Sequence, residues 1–280
     1  MKAAAFEYAK VGSVAEAVAL KARHGDGARF LAGGQSLLPA LNLRLDQPDL
    51  LIDINGLAEL EGIVFADGKL RIGALARTAP IGRSELVARH APLLVECVPH
   101  IAHPAIRTLG TIGGSVALAD AAAEWPAACL ALDAEMIVAG PAGQRAIPAA
   151  QFFLGLYQTA LMTDDLLVRI DFPAAPEGAR VAAVELARRR GDFAIAGLLA
   201  QAVVQAGVLS DVRTAFFGVG DRPVRLAGVE EALTGKPDVA AAQAAVGDGL
   251  DAVADLYHSQ AAKVHLAKVL VARAVQNITH

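Results

Sequence analysis

Leu31-Ala32-Gly33-Gly34-Gln35-Ser36-Leu37-Leu38-Pro39 and Thr111-Ile112-Gly113-Gly114-Ser115 are the two stretches on which the reading of this chain turns. Each is an apolar run broken by a glycine pair and followed by a polar residue that can cap or donate. Glycine tolerates positive φ and has no Cβ, so a ligand can come close to the backbone. Successive N–H groups in such a bend form a concave nest for anions. Two such bends predict two lobes closed over a ligand that carries two phosphates. Neither five-residue core contains Lys or Arg, so backbone amides have to make the contact. At roughly 1.5–3 kcal/mol for each charge-assisted bond, four or five amides offset the desolvation of a pyrophosphate. The competing reading of any glycine pair is a plain turn. A Rossmann or Walker cradle is disfavoured, because the chain has no GxGxxG opening a helix and no GxxxxGK followed by Ser or Thr.

Composition narrows the classes further. A chain of 280 residues holds one large domain or two ordinary ones. With 55% hydrophobic and 19% charged residues it is a well-buried globular chain. A formal charge of −4 gives no basic footprint for nucleic acid. The longest apolar stretch, 193–209, is interrupted by Gln201 and Gln205 and is too short to span a membrane. The first seven residues lack the apolar segment of a secretory signal. Cys97 and Cys129 form no CxxC or Cys/His cluster, which argues against an iron–sulfur centre or structural zinc. Free buried thiols in a reducing cytoplasm are the expected state.

Along the chain, Ser13 with Glu16 forms a capping box ahead of Val14, Ala17, Val18 and Ala22 at helical spacing. Short buried strands are expected at 29–32 and 50–54, making a β–α–β start. Asp67-Gly68 marks a hairpin between 63–66 and 70–73, and a second hairpin turns at 140–143. Helices are expected over 78–89, 92–98 and 124–132, and a strand over 165–172. Pro173-Ala174-Ala175-Pro176-Glu177-Gly178 is the best domain boundary. Beyond it, strands at 181–188, 198–205 and 213–219 suit an antiparallel sheet, closed by helices over 228–233, 239–253 and 259–277.

The pair of segments at 32–45 and 106–120, AGGQSLLPALNLRL and IRTLGTIGGSVALAD, resembles the FAD-binding medium subunit of molybdenum hydroxylases, the family of xanthine dehydrogenase and carbon monoxide dehydrogenase. Arg189-Arg190-Gly191-Asp192-Phe193-Ala194 is similar to its third signature, and 266–274 to its C-terminal helix. The resemblance implies an α+β chain with a two-lobed FAD-binding domain of the vanillyl-alcohol-oxidase (PCMH-like) type. That domain would cover 1–175, with lobes about 1–55 and 56–175, and a C-terminal α+β domain would follow over 176–280. It also implies a large molybdenum–pterin partner and a small 2Fe-2S partner in a dimer of heterotrimers. Electrons would leave through this chain's FAD to NAD, a quinone or oxygen.

By the same resemblance the FAD site comprises Leu31, Ala32, Gly33, Gly34, Gln35, Ser36 and Leu37 with Thr111, Gly113, Gly114 and Ser115. Position 35 is His or Asn in some relatives and Gln here. An acid at Glu124 is implied to bond the ribityl or ribose hydroxyls, with Asp120 four residues earlier; a carboxylate accepts two such donors. For both, the plain alternative is a solvated acid at a helix start. Ile101 and Leu167 match apolar positions lining the ring pockets, and on sequence alone read as core. Phe193 stands where relatives place an aromatic near the flavin, or is a core Phe. Arg44 and Arg107 are candidate phosphate counter-charges, and His100-Ile101-Ala102-His103 reads as a loop rather than a metal site. No Ser/His/Asp or Cys/His arrangement supports nucleophilic catalysis, so no catalytic residue is assigned. Two other functions fit a flavin or nucleotide clamp: a self-contained FAD oxidase or reductase, and a non-redox nucleotide-binding assembly module.

Overall fold

The computed structural model describes residues 2–280. Its first lobe is built from β1 (Glu7–Lys10), α1 (Val14–His24), β2 (Ala28–Leu31), α2 (Leu37–Asn42) and β3 (Leu50–Asp53). The three strands lie in the order β1-β3-β2, all parallel. Ser13 caps α1 as its sequence suggests, accepting from the Glu16 amide at 3.1 Å. Strand β1 is exposed and carries no apolar alternation, which is why its pattern does not announce it.

The second lobe contains β4 (Ile63–Ala66) and β5 (Lys69–Gly73), then α3 (Thr78–Ile81), α4 (Glu85–His90), α5 (Pro92–Cys97), α6 (Pro104–Leu109), α7 (Ile112–Leu118) and α8 (Glu124–Ala131). It continues with β6 (Glu135–Gly140), β7 (Gly143–Pro148), α9 (Ala149–Phe152), β8 (Phe153–Gly155), β9 (Gln158–Thr159) and β10 (Leu166–Pro173). Five of these strands form an antiparallel sheet in the order β4-β5-β10-β6-β7. The single helix expected over 78–89 is two short ones, because Ser84 caps a new start by accepting from the Val87 amide.

Central strand β10 divides two hydrophobic cores. Leu166 and Val168 join the first lobe's core, while Leu167, Ile170 and Phe172 join the core under the second lobe's helices. A bulge between Leu167 and Arg169 reverses the alternation midway, letting one strand serve both sides.

After β10 the chain forms β11 (Ala179–Leu186), β12 (Ala196–Gln205) and β13 (Val208–Phe217), an antiparallel sheet in that order. Ala206 and Gly207, both at positive φ, make the tight turn between the last two strands. Helices α10 (Ala227–Leu233), α11 (Val239–Gly249) and α12 (Gln260–Thr279) follow. The sheet is covered on both faces, so β12 is buried from Ala196 to Ala202. Leu198, Ala200 and Ala202 pack in one core with Leu270 and Val271 of α12. Ala183, Leu199 and Phe217 turn the other way and join the second-lobe core around Leu93, Cys97 and Ala128. No helix among the described residues is long and apolar enough to cross a membrane.

Candidate FAD site

Strand β2 runs into the first glycine pair, and Gly34 takes φ of 70°. Gln35 folds back, its Nε2 donating to the Gly33 carbonyl at 2.8 Å. The Leu38 amide closes the bend on the Gly34 carbonyl at 3.0 Å. The amides of Gly33, Gly34, Gln35 and Ser36 donate to no group among the described residues. The Ser36 hydroxyl accepts no cap bond. Free consecutive amides around a left-handed glycine are a built anion nest. This half of the site fits the pyrophosphate of a dinucleotide.

The second pair is built differently. It forms no open bend but the first turn of α7, with Thr111 as N-cap accepting from the Gly114 amide at 3.1 Å. The Ile112 amide donates to Ala76 at 3.0 Å and the Gly113 amide to Ala74 at 2.9 Å. Gly113 is needed for contact, since a Cβ there would lie 2.5 Å from the Ala74 side chain. Its amide is therefore engaged by the protein itself. What this half presents outward is the exposed Gly114 and the half-buried Ser115, while Thr111 is buried with its hydroxyl held by the Gly114 amide.

The two halves touch. A Cβ on Gly33 would overlap the Leu109 carbonyl oxygen and stand 3.0 Å from Gly110 Cα. One on Gly114 would meet Ala32 Cβ at 4.0 Å. Asn55 and Arg77, which the sequence reading passed over, tie them together. Asn55 Nδ2 donates to the carbonyls of Leu31 at 3.1 Å and Ala32 at 2.9 Å. Arg77 donates to Asn55 Oδ1 at 2.6 Å and to the Leu109 carbonyl. The Asn55-Gly56 dipeptide directly after a buried strand was the only local signal.

A cavity of about 550 Å³ lies where the second lobe meets the C-terminal sheet and α12, lined by Asp120, Phe193, Arg188, Tyr257 and Lys263 among others. Phe193 is 67% exposed, so it is no core residue. Asp120 is held by the Ala122 amide at 2.9 Å and by the Tyr157 hydroxyl at 3.1 Å. Arg188 stands over the Tyr257 ring, 5.4 Å from its centroid.

Glu124 lies apart from that cavity. A turn through 120–123 precedes α8, so the two acids do not share a helix face. Glu124 is buried in a pocket with Cys97, His100, Glu185 and Phe217, between the second lobe and the C-terminal sheet. Burial pushes its pKa up to about 8, helped by the Glu185 carboxylate. His100 pairs with Glu185 at 3.3 Å, which raises the imidazole's pKa. Cys97 and Cys129 are buried free thiols, and burial raises both.

Leu167 is buried in the second-lobe core and Ile101 packs partly against it; neither lines the cavity. Arg107 clamps its own loop, its Nη1 donating to the carbonyls of Val98 at 3.2 Å, Ile101 at 3.0 Å and Ala102 at 3.2 Å. Arg44 donates outward to the Lys2 carbonyl at 3.3 Å.

Residues 4–175 match the family described as the FAD binding domain in molybdopterin dehydrogenase, and residues 182–278 match the CO dehydrogenase flavoprotein C-terminal domain. The chain belongs to the FAD-binding medium subunits of the molybdenum hydroxylases. Subunit alpha of the 6-hydroxypseudooxynicotine dehydrogenase complex of Paenarthrobacter nicotinovorans is 37% identical over 100% of this chain and 96% of that one. The solved carbon monoxide dehydrogenase of Hydrogenophaga pseudoflava is 38% identical, with a TM-score of 0.96 over 99% of this chain and 98% of its own. Quinoline 2-oxidoreductase from Pseudomonas putida 86 is 35% identical, with a TM-score of 0.93 over 100% and 98%. This medium subunit is thus an oxidoreductase subunit with an FAD-binding domain, and its free amides at 33–36 suit that cofactor.

Proposed function

We propose that this chain is the electron-transfer subunit of a molybdenum hydroxylase complex. It takes electrons from a small 2Fe-2S subunit, which receives them from a large molybdenum–pterin subunit, and delivers them to NAD, a quinone or oxygen. The assembly is a dimer of heterotrimers, and two free buried thiols suit a reducing cytoplasm. Residues 1–175 hold the cofactor, and 176–280 form the C-terminal domain that completes the cavity. When bound, FAD supplies the redox chemistry of accepting single electrons and releasing a pair, and the protein supplies position and electrostatics.

The observation that carries this reading is the set of uncommitted amides from Gly33 to Ser36, packed against the start of the second glycine motif. These amides, with the hydroxyls of Ser36, Thr111 and Ser115 and the open face of Gly114, would hold the pyrophosphate. Leu31, Ala32, Leu37 and Gly113 set the backbone that presents them. Gln35 steadies the bend through the Gly33 carbonyl. Asp120, already fixed by two donors, has acceptor capacity for ribityl hydroxyls. Phe193 would face the ring from the cavity wall, with Ile101 and Leu167 supporting from the core and Glu124 behind them.

A visible spectrum of the purified chain tests the cofactor. A yellow protein bleached by dithionite that releases FAD on denaturation is expected; FMN, or no flavin, overturns the reading. Co-purification with a molybdenum subunit tests the assembly, and a chain that oxidises a substrate alone would make it a self-contained oxidase. Phe193→Ala is expected to raise the oxygen reactivity of the reduced complex several-fold and to shift the flavin absorption. An unchanged spectrum and unchanged peroxide yield would remove Phe193 from the ring.

A further inference from the structure

We infer that Arg77 is a positioning residue that holds the two halves of the FAD clamp at their working distance, acting through Asn55. The inference rests on the FAD reading above and adds residues that lie outside both glycine motifs. Arg77 adds a hydrogen-bonded link to the direct contact between the two motifs. Its backbone bridges Thr111 in antiparallel fashion, flanked by bonds from the Thr78 amide to the Gly110 carbonyl at 3.0 Å and from the Ile112 amide to the Ala76 carbonyl at 3.0 Å. Its side chain makes two further bonds. One Nη donates to the Leu109 carbonyl, the same oxygen that a Cβ on Gly33 would strike. The other donates to Asn55 Oδ1 at 2.6 Å.

Asn55 completes the link to the first lobe. Its Nδ2 holds the carbonyls of Leu31 and Ala32, the two residues that lead into Gly33. Asp53 fixes the asparagine in turn, its Oδ1 accepting from the Asn55 amide at 2.9 Å and from Nδ2 at 2.7 Å. A continuous path of hydrogen bonds therefore runs from β3 through Asn55 and Arg77 to the residues under α7. The guanidinium is suited to this because its planar fork presents separate donors in fixed directions to two acceptors. Both side chains are only half-buried, so the bonds contribute little to global stability. Their effect falls on where the free amides of Gly33 to Ser36 stand relative to Thr111 and Ser115, and amide donors lose strength steeply with misalignment.

The test uses the full chain stripped of flavin, with FAD titrated by loss of its fluorescence. Arg77→Ala and Asn55→Ala are each expected to weaken FAD about 10- to 100-fold, the loss of one or two charge-assisted bonds. The double variant is expected to lose no more than the worse single one, since both cut one path. Arg77→Lys is expected to recover part of the affinity. Phosphorus NMR of bound FAD supplies a readout that mere stability does not move: both pyrophosphate resonances should shift toward the free cofactor in Arg77→Ala. Wild-type affinity in Asn55→Ala, with unshifted phosphorus signals, overturns the inference alone. A wild-type chain that binds no FAD overturns the parent reading as well. If Arg77→Ala does not fold, Asn55→Ala carries the decision.

Discussion

Gly33→Ala is expected to lower FAD affinity by about 100-fold or more while the chain still folds. There is no room for a side chain at this position. A single methyl at this position overlaps the Leu109 carbonyl oxygen and crowds Gly110 Cα at 3.0 Å, and both obstacles are backbone. A side chain can rotate away from a clash, but a carbonyl held by Arg77 moves only with its segment. Overpacking of this kind costs about 1–3 kcal/mol in stability, which a chain with three hydrophobic cores tolerates. The larger consequence is geometric. To relieve the clash, the end of β2 must withdraw from the 109–110 segment, carrying the amides of Gly33 to Ser36 away from Thr111 and Ser115. Losing one or two charge-assisted bonds to a pyrophosphate accounts for the predicted fold-change. Fluorescence titration with FAD against the melting temperature of the flavin-free protein checks it. An alanine variant that melts normally and binds FAD like wild type would show that the two motifs do not act on one ligand.

The sequence made the first glycine bend legible because its signal is local. A strand, a glycine pair and a polar residue in succession dictate a turn, and Gly34 takes the positive φ that such a turn demands. The C-terminal sheet was equally readable: three apolar runs, the last two joined near Gly207, became β11 to β13, displaced by a few residues. The second motif misled because glycine pairs weigh against helices. Here Thr111 starts a helix in spite of them, since Gly113 must pass close to Ala74 and tertiary contact outweighs propensity. The bulge that lets β10 serve two cores leaves no mark in a run whose two charged residues, Arg169 and Asp171, keep a plain alternation. Asn55 and Arg77 escaped notice for another reason: their partners lie tens of residues away, and no periodicity encodes a side chain reaching across lobes. Phe193 was open between core and ring, and its 67% exposure removes the core reading.

Glu124 sets up the last expected result, which concerns pH. It is buried beside Glu185 and His100, with Cys97 and Phe217 completing the pocket. Glu185 leaves one oxygen, Oε2, buried without a hydrogen-bond partner among the described residues. The other charges acting on this cluster are Asp120, Glu96 and Arg190. Burial raises the Glu124 pKa from 4.5 to about 8. A raised pKa means that the native state holds a proton the unfolded chain releases. The stability linked to it is complete below pH 4.5 and is lost as pH climbs through about 8. His100, raised by its bond to Glu185, acts in the same direction: its share is complete below 6.5 and disappears above that value. The flavin-free protein is therefore expected to melt at progressively lower temperature from pH 6 to pH 9, by roughly 5–10 °C. Glu124→Gln keeps the shape and removes the titration. It should match wild type near pH 6 and melt several degrees higher near pH 9. Parallel curves for the two proteins would show that Glu124 is ionised in the native state. The same variant decides what the side chain does when the cofactor is present. Unaltered FAD affinity would fix Glu124 as a domain-junction residue, and a marked loss would mean that its carboxyl turns toward the ribityl hydroxyls on binding.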